Sequence, residues 1–441
     1  MEDKGLSDFK SFSGSIQSND SSVPINFCAK ISERGEVEFN FEPIALTSET
    51  SFILKSMNAE QARLNCFSLS GKSEDGTEFR TEDFHINSAP TSEKEGRTHL
   101  QVIGKCSKAV FTRTLLDTIL LPTLRIHMKG FQNFHQLVTT CDLGKIAMHG
   151  QSSILDADTM TGSITIQSKI SIQSADLSAW RIEANKLLEH VHRVMSFASS
   201  TLLGLPVIEF YSNNSLEVTV YSQGKQSFAS MRVFHFLDQK NIFETAVKSF
   251  FNPPFVVKNL FFAVEWFAMN SSYSEVRLVN AMTVLENLIA SNLSEEESLV
   301  RSKKEFEKVR KDIRRVLKET IKMWSDKDEE RAAALKDINE KMPDLNRKTL
   351  LKKLNILIER WSVPMHGIKE SDISAAKNAR DLIVHQGYYD HNLEDELWTH
   401  VTIVREIVVR IILTVIGFKG RYISHVGGFH DEQFPPVITN N

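Results

Sequence analysis

The spacing of hydrophobic and polar residues changes character twice along this chain. From about residue 25 to residue 172, apolar and polar side chains alternate, as in residues 37–41 and again in residues 164–172. This period of two is typical of strands that bury one face. The first 24 residues are rich in Ser, Asp and Asn and predict a flexible lead-in.

A helical spacing begins at Asp176, where apolar residues recur at three- and four-residue steps as far as Leu203. Gly204 and Pro206 then provide a stop signal for the predicted helix. Alternation returns in residues 216–220. We therefore expect a β-rich α+β region over residues 25–245.

Beyond Pro253-Pro254 the spacing is helical almost throughout. We expect an all-α bundle over residues 255–430 and a multidomain α+β chain as a whole. The predicted helices cover residues 256–269, 274–291, 297–324, 350–361, 371–386 and 393–416.

Composition and charge narrow the function classes. The chain has 441 residues, 41% hydrophobic and 24% charged, which is ordinary globular usage. Its net charge of -4 argues against a protein that coats nucleic acid, so any such contact needs a local basic patch. The four cysteines show no CxxC spacing, which disfavours a structural zinc site or a disulfide framework, and we expect no metal or cofactor.

Two further patterns bear on location. Residues 1–5 lack the basic start and apolar run of a secretory signal. The most apolar stretch, residues 407–418, is about 12 residues long and contains Arg410, so it is too short to span a bilayer. We expect a cytoplasmic protein that does not enter a membrane.

The main chemical candidate is the pair Arg380 and His385 near the end of a predicted helix. Cutting RNA without metal needs a base near pH 7 for the 2′-hydroxyl proton, which imidazole supplies, and a fixed cation on the phosphate, which guanidinium supplies. The spacing alone is weak evidence, because 21 Arg and 14 His predict about 0.7 such pairs by chance. A second pair, Arg80 and His85, lies in the strand-rich region and is interpreted as a chance match.

The surroundings of Arg380 and His385 resemble the HEPN superfamily, in its Apea-like branch of bacterial defence proteins. The resemblance covers about 175 residues. It includes the helix at residues 281–289, the segment Asn378–Gly387, Leu397-Trp398, a helix with Arg405 and Arg410, and residues 417–422. Many members carry asparagine directly after the arginine, whereas this chain has Asp381. We count Asp381 as a supporting residue beside Arg380 and His385.

The resemblance implies a four- or five-helix bundle that pairs with a second copy. Geometry favours pairing too, since five residues along a helix place Arg380 and His385 about 140° apart, and a twofold dimer would bring two of each to one cleft. We assign His385 as general base or 2′-hydroxyl activator and Arg380 as the phosphate and transition-state ligand. The alternative is that Arg380 pairs with an acidic neighbour and His385 caps a helix.

A basic segment at residues 301–319 and an aromatic residue after the motif are candidates for RNA contact. We favour the interpretation that the segment is the solvated face of an amphipathic helix whose other side is core, and that Tyr388 is a packing residue. The RNA-binding candidates are Lys303, Lys304, Lys308, Arg310, Lys311, Arg314, Arg315 and Tyr388.

The expected function is a metal-independent, dimeric RNA endonuclease of the HEPN type. The resemblance implies a role in anti-phage defence by abortive infection, with host or viral RNA, transfer RNA included, as target. The β-rich region would then sense a phage-derived trigger or restrain the nuclease. Two alternatives remain: a HEPN module that binds a nucleotide or partner without cutting, and a scaffold held together by helix pairing.

Overall fold

The structure is a computed structural model, and it describes residues 8, 10–18, 21–55, 66–94, 96–115, 120–153, 156–172, 174–225, 231–269, 271–323 and 327–436. Contacts between residues divide the chain into two units, residues 1–252 and 253–441. The sequence predicts that the first region ends near residue 245. In the structure the helix Lys240–Phe251 crosses that point, and the first unit ends after it.

The N-terminal unit is built on one large antiparallel sheet. Among the described residues thirteen strands belong to it, in the order β12-β13-β14-β11-β15-β16-β10-β6-β5-β1-β2-β3, with β9 paired to β6. A small second sheet has the order β4-β8-β7. The strands are β1 (Lys10–Ser18), β2 (Ser21–Ile31), β3 (Val37–Phe41), β4 (Ile44–Ala45), β5 (Phe67–Ser73), β6 (Glu78–Ser88), β7 (Thr91–Lys94), β8 (Arg97–Leu100), β9 (Ile103–Cys106), β10 (Lys108–Thr114), β11 (Leu120–Lys129), β12 (Leu137–Cys141), β13 (Gly144–His149), β14 (Met160–Gln167), β15 (Gly204–Asn213) and β16 (Ser215–Tyr221).

Phenylalanine rings fill the core beneath the first strands of this sheet. Phe12 stacks on Phe27 with ring centroids 5.3 Å apart, and Phe79 meets Phe111 at 5.0 Å. Each ring comes from an inward position of an alternating strand, so the period of two in the sequence is the direct cause of this core.

Helices cover the other end of the sheet. The amphipathic segment predicted from Asp176 to Leu203 forms α2 (Ser174–Ser199), which lies against β11 and β14, and α3 (Lys240–Phe251) packs on α2 and β12. A short helix, α1 (Ser51–Lys55), precedes β5.

Two sequence predictions in this unit are wrong. Residues 10–18 form β1, paired with β2 and β5, where we expected a flexible lead-in, because Phe12 and Ile16 bury one face of an otherwise polar strand. The strand at residues 164–172 ends early, since β14 stops at Gln167 and Ile170 is 70% exposed.

The C-terminal unit is helical apart from a terminal β-hairpin. Helix α10 is its centre, buried along most of its length, and it packs against α4, α5, α8 and α9. The elements are α4 (Leu260–Ala268), α5 (Ser274–Asn292), α6 (Lys303–Ile321), α7 (Asp328–Lys341), α8 (Leu350–Trp361), α9 (Glu370–Gln386), α10 (Glu394–Ile416), β17 (Gly420–Ser424) and β18 (His430–Phe434).

The predicted helix at residues 297–324 differs most from the structure. Ser302 caps α6 by accepting a hydrogen bond from the Glu305 backbone, so the helix starts later, and Trp324 lies outside the described residues. The sequence suggests that the apolar side of this helix is core. In the structure Ile321 is the only buried residue of α6, so that expectation is wrong. Helix α7 and the β17–β18 hairpin have no counterpart in the sequence predictions.

Candidate functional site

Helix α9 carries both residues of the candidate catalytic pair. The Asp372 carboxylate accepts a hydrogen bond from the Lys369 backbone at its start, at 2.9 Å. Gly387 ends it in a left-handed conformation with φ 85°, which glycine adopts without strain. Arg380 lies in the second half of α9 and His385 in its last turn.

Arg380 is held by carboxylates from two directions. Its Nη2 donates to Glu286 Oε2 on α5 at 3.1 Å, and its Nη1 donates to Asp381 Oδ1 at 3.2 Å. Only 24% of the side chain is exposed, and its Nε is buried with no acceptor among the described residues. The guanidinium is thus oriented by α5 as well as by its own helix.

The charges around Arg380 cancel within one chain. Lys377 Nζ donates to Asp381 Oδ2 at 2.5 Å. This hydrogen bond, together with that from Arg380, lowers the pKa of the Asp381 carboxyl from its ordinary value, so Asp381 is ionised at neutral pH. Two cations, Arg380 and Lys377, then face two carboxylates, Glu286 and Asp381.

His385 has a different environment, because its side chain is exposed. No other side chain or carbonyl among the described residues bonds to its ring. An accessible imidazole suits proton transfer to or from a ligand, and it leaves the ring orientation to that ligand. No hydrogen bond joins Arg380 and His385 in the described part of the chain, in keeping with their separation of about 140° around the helix.

The aromatic residues after the motif separate into two kinds. Tyr388 is exposed, and Tyr389 is buried, with its pKa raised by that burial. Tyr389 lines a shallow groove of about 150 Å³ together with Tyr273, Glu275, Asp390 and Glu394. Three of those side chains are acidic, so this groove repels a phosphate backbone.

The basic residues of α6 lie mainly on its solvent side. Of the seven candidates, Lys303, Lys304, Lys308, Lys311 and Arg315 are exposed. Several are already paired: Lys303 with Glu295 at 2.7 Å, Arg310 with Glu307 at 3.1 Å and Arg315 with Asp312 at 3.5 Å. Arg314 donates to Asn339 on α7 at 2.8 Å. A positive surface remains, and Lys304, Lys308 and Lys311 are its most available members.

The second Arg-x4-His match does not form a site. Arg80 and His85 both belong to β6, where a bulge between Thr81 and Phe84 leaves both on the outer face, but five residues along a strand separate them by about 16 Å. His85 instead lies 3.5 Å from Cys66 Sγ.

A buried charge network at the end of α10 was not predicted from the sequence. Arg410 Nε donates to Glu406 Oε1 at 2.8 Å, and both side chains are only 3% exposed. The Tyr422 hydroxyl donates to Glu406, and Arg410 Nη2 lies 3.4 Å from Glu432 on β18. The signal in the sequence was two opposite charges four apart within an apolar helix.

His366 joins this network from the loop between α8 and α9. Its Nε2 donates to Glu432, and Arg410 Nη1 donates to its backbone carbonyl at 2.6 Å. Burial raises the pKa of Glu432, but the hydrogen bond from His366 and the charge of Arg410 outweigh it and lower the pKa below its usual value. His366 therefore ties the loop to the hairpin, and not to the α9 motif.

Neither a metal site nor a membrane span is found in the described part of the chain. In the described ranges, no group of three or more His, Cys, Asp and Glu side chains is arranged to hold a metal ion, and no helix is long and apolar enough to cross a bilayer. Comparison with protein-family models, with curated proteins and with solved structures finds no match. The functional assignment accordingly rests on the residues of α9 and their surroundings.

Proposed function

We propose that this chain is a metal-independent RNA endonuclease of the HEPN type that acts in anti-phage defence as a homodimer. His385 takes the 2′-hydroxyl proton and the 2′-oxygen forms a bond to phosphorus. The P–O5′ bond breaks, and the leaving 5′-oxygen takes up a proton from water. Arg380 stabilises the charge that builds on the phosphate oxygens. The proposed products are RNA ends with a 2′,3′-cyclic phosphate and a 5′-hydroxyl.

One observation carries the proposal: an oriented arginine and an exposed histidine occupy the last turns of a single helix in a helical bundle. The guanidinium is placed by Glu286, while the imidazole is open to a ligand. Because the two residues face different directions, a second copy is needed to complete one cleft with groups from both chains.

The N-terminal unit would provide control. An unregulated ribonuclease damages its own cell, and the N-terminal unit supplies no residue to the proposed chemistry. We propose that it senses the trigger or restrains the nuclease.

The charge balance at Arg380 favours a second candidate function. With Glu286 and Asp381 both on its guanidinium, a single chain presents no net positive charge to a phosphate. A HEPN module that binds a partner protein without cutting RNA fits this neutral arrangement, whereas a nucleotide would, like RNA, bring a phosphate that competes with the carboxylates for Arg380.

Growth of cells with and without phage, combined with gels of total and transfer RNA, separates these functions. The variants are His385→Ala, Arg380→Ala and, as matched control, Gln386→Ala, an exposed neighbour on the same helix. The nuclease predicts RNA cleavage and protection with wild type and Gln386→Ala, and neither with the other two.

The chemistry of the cut ends adds a second test. Cleavage of purified RNA should persist in EDTA and leave cyclic phosphate ends, because the 2′-oxygen is the nucleophile. Protection that survives in His385→Ala cells with intact RNA would refute the nuclease and support the binding module. Unchanged phenotypes in both catalytic variants would leave only a scaffold.

A further inference from the structure

Helix α6 presents a row of mainly apolar side chains that the described chain buries only in part. The row follows steps of three and four residues, the a and d positions of a heptad repeat. Val309 is 48% exposed and Val316 61% exposed. We call this row the seam, and its members are Phe306, Val309, Ile313, Val316 and Thr320.

Helix α7 covers a different side of α6. Arg314 bonds to Asn339 on α7, and Ile321 is the one α6 residue that is buried. At about 100° per residue, the direction that contains Arg314 and Ile321 lies about 90° from the centre of the seam. The hairpin of α6 and α7 therefore leaves Val309 and Val316 open, while Phe306, Ile313 and Thr320 are half-buried.

The charges of α6 are sorted around the seam. The exposed lysines Lys304, Lys311 and Lys318 point about 160° away from it, on the opposite side of the helix. Three carboxylates border the seam on the side away from α7, at heptad position g: Glu305, Asp312 and Glu319. A basic surface for phosphates and an apolar surface for packing thus occupy separate faces.

We propose that the seam is the docking surface for α6 of a second copy of this chain, in a parallel two-stranded coiled coil. In parallel pairing, position g faces position e of the next heptad on the partner helix. Glu305 then faces Arg310 of the second copy, twice by symmetry, and adds a second carboxylate to a guanidinium whose Nη1 already donates to Glu307 at 3.1 Å. The helix cap uses Glu305 Oε2, and Oε1 is left for this contact.

The opposite orientation is disfavoured by the same charges. An antiparallel pair brings positions g of the two helices together, and Asp312 would then border Glu319 of the second copy. Like charges at flanking positions destabilise such pairs. The identical chain therefore matches the seam in one orientation only.

Parallel pairing also suits the proposed nuclease, and this step alone rests on that function. Helix α6 has 19 residues and is about 28 Å long. Antiparallel arms would separate the two attachment points by that length, whereas parallel arms keep both at one end. Two α9 helices at one end can supply a composite cleft.

Sedimentation equilibrium of the full chain in a His385→Ala background tests the surface without depending on RNA cleavage. Val309→Glu/Val316→Glu places charges in the seam, and Lys311→Glu/Lys318→Glu adds the same side chains on the opposite face. We expect a dimer whose Kd rises about 100-fold or more with the first pair and less than about threefold with the second. Circular dichroism must show equal helix content in both.

Two results would overturn the docking surface. One is a chain that stays monomeric at high micromolar concentration. The other is a dimer with the same Kd in both double variants, which would place pairing elsewhere. If that dimer also loses RNA affinity with Val309→Glu/Val316→Glu, the seam contacts RNA and not a second copy.

Cross-linking tests the orientation. Val309→Cys and Val316→Cys, each alone, should both form dimers linked by a disulfide when oxidised glutathione accepts the two electrons. Lys311→Cys, on the far side of α6, should not exceed the wild-type background from the four native cysteines. Antiparallel helices bring at most one of the two seam positions near its own copy, so linkage of only one variant refutes the parallel arrangement.

Discussion

The buried network on α10 allows the sharpest test of how the C-terminal unit is held together. Arg410→Met removes the cation and keeps most of the apolar stem. Glu406, 3% exposed, and Glu432, 19% exposed, then lose the guanidinium that lies between them. The backbone carbonyls of Pro364 and His366 lose their donor as well.

The expected cost follows from what each change leaves behind. Removing one partner of a buried ion pair costs about 3–5 kcal/mol, and we expect about 4 kcal/mol for Arg410→Met, since two carboxylates are left facing each other. Glu406→Gln should cost less, about 2 kcal/mol, because Glu432 still neutralises Arg410. The double variant should cost about 2 kcal/mol less than the sum, since Glu406 no longer leaves an unpaired buried charge and Glu432 still pairs with His366.

Urea unfolding followed by tryptophan fluorescence measures these differences. Four of the five tryptophans (Trp266, Trp324, Trp361 and Trp398) belong to the C-terminal unit, so the signal reports mainly on it. Thr414→Ala, one turn further along α10, is a control that removes a hydroxyl without touching the charges. An Arg410→Met cost below about 1 kcal/mol, or costs that add in the double variant, would show that the charges do not stabilise one another.

Three further predictions concern other parts of the chain. Glu286→Gln should raise RNA affinity about fivefold at low salt, measured by filter binding, because one carboxylate leaves Arg380; an unchanged affinity would mean that Arg380 does not contact RNA. Burial lowers the pKa of His192 to about 4 from 6.5, so the folded state holds it neutral and stability falls as pH decreases from 6.5 towards 4. His192→Asn should remove up to about 3 kcal/mol of that acid loss in urea titrations, and an identical pH profile would contradict it. Gly14→Ala should destabilise the sheet by about 3 kcal/mol, seen as a lower melting temperature, because the new Cβ would lie 1.8 Å from the Ser70 carbonyl oxygen; Ser13→Ala is the control.

Local patterns were enough to predict the elements that present the candidate site. Residues 371–386 were predicted as helical and α9 covers Glu370–Gln386, with Gly387 directly after it. The carboxylate on Arg380 was not predictable, because Glu286 is 94 positions away in sequence and only packing of α5 on α9 brings it close. The spacing of apolar residues describes one helix at a time, so it does not predict which residues of different helices meet.

Helix α6 shows a different limit of prediction from sequence. Its apolar row predicts an amphipathic face, but the pattern does not say what covers that face. Packing against the core of the same chain and packing against a second chain give the same sequence pattern, because both require apolar residues at three- and four-residue steps. The heptad spacing and the sorted charges distinguish the two only when the open side of α6 is known.

The neutral setting of Arg380 and the open seam lead to one consequence for the proposed enzyme. Within one chain, Lys377 and Arg380 are balanced by Asp381 and Glu286, so a phosphate must compete with carboxylates for the guanidinium. A second copy can supply a second guanidinium and imidazole at the same phosphate, which shifts that competition towards RNA. Cleavage per chain should therefore rise with concentration around the dimer Kd, and it should fall in Val309→Glu/Val316→Glu although Arg380 and His385 are intact. Equal specific activity at concentrations far below and far above that Kd would show that one chain cuts RNA alone, and the balance of charges at Arg380 would then have to be broken by the RNA itself.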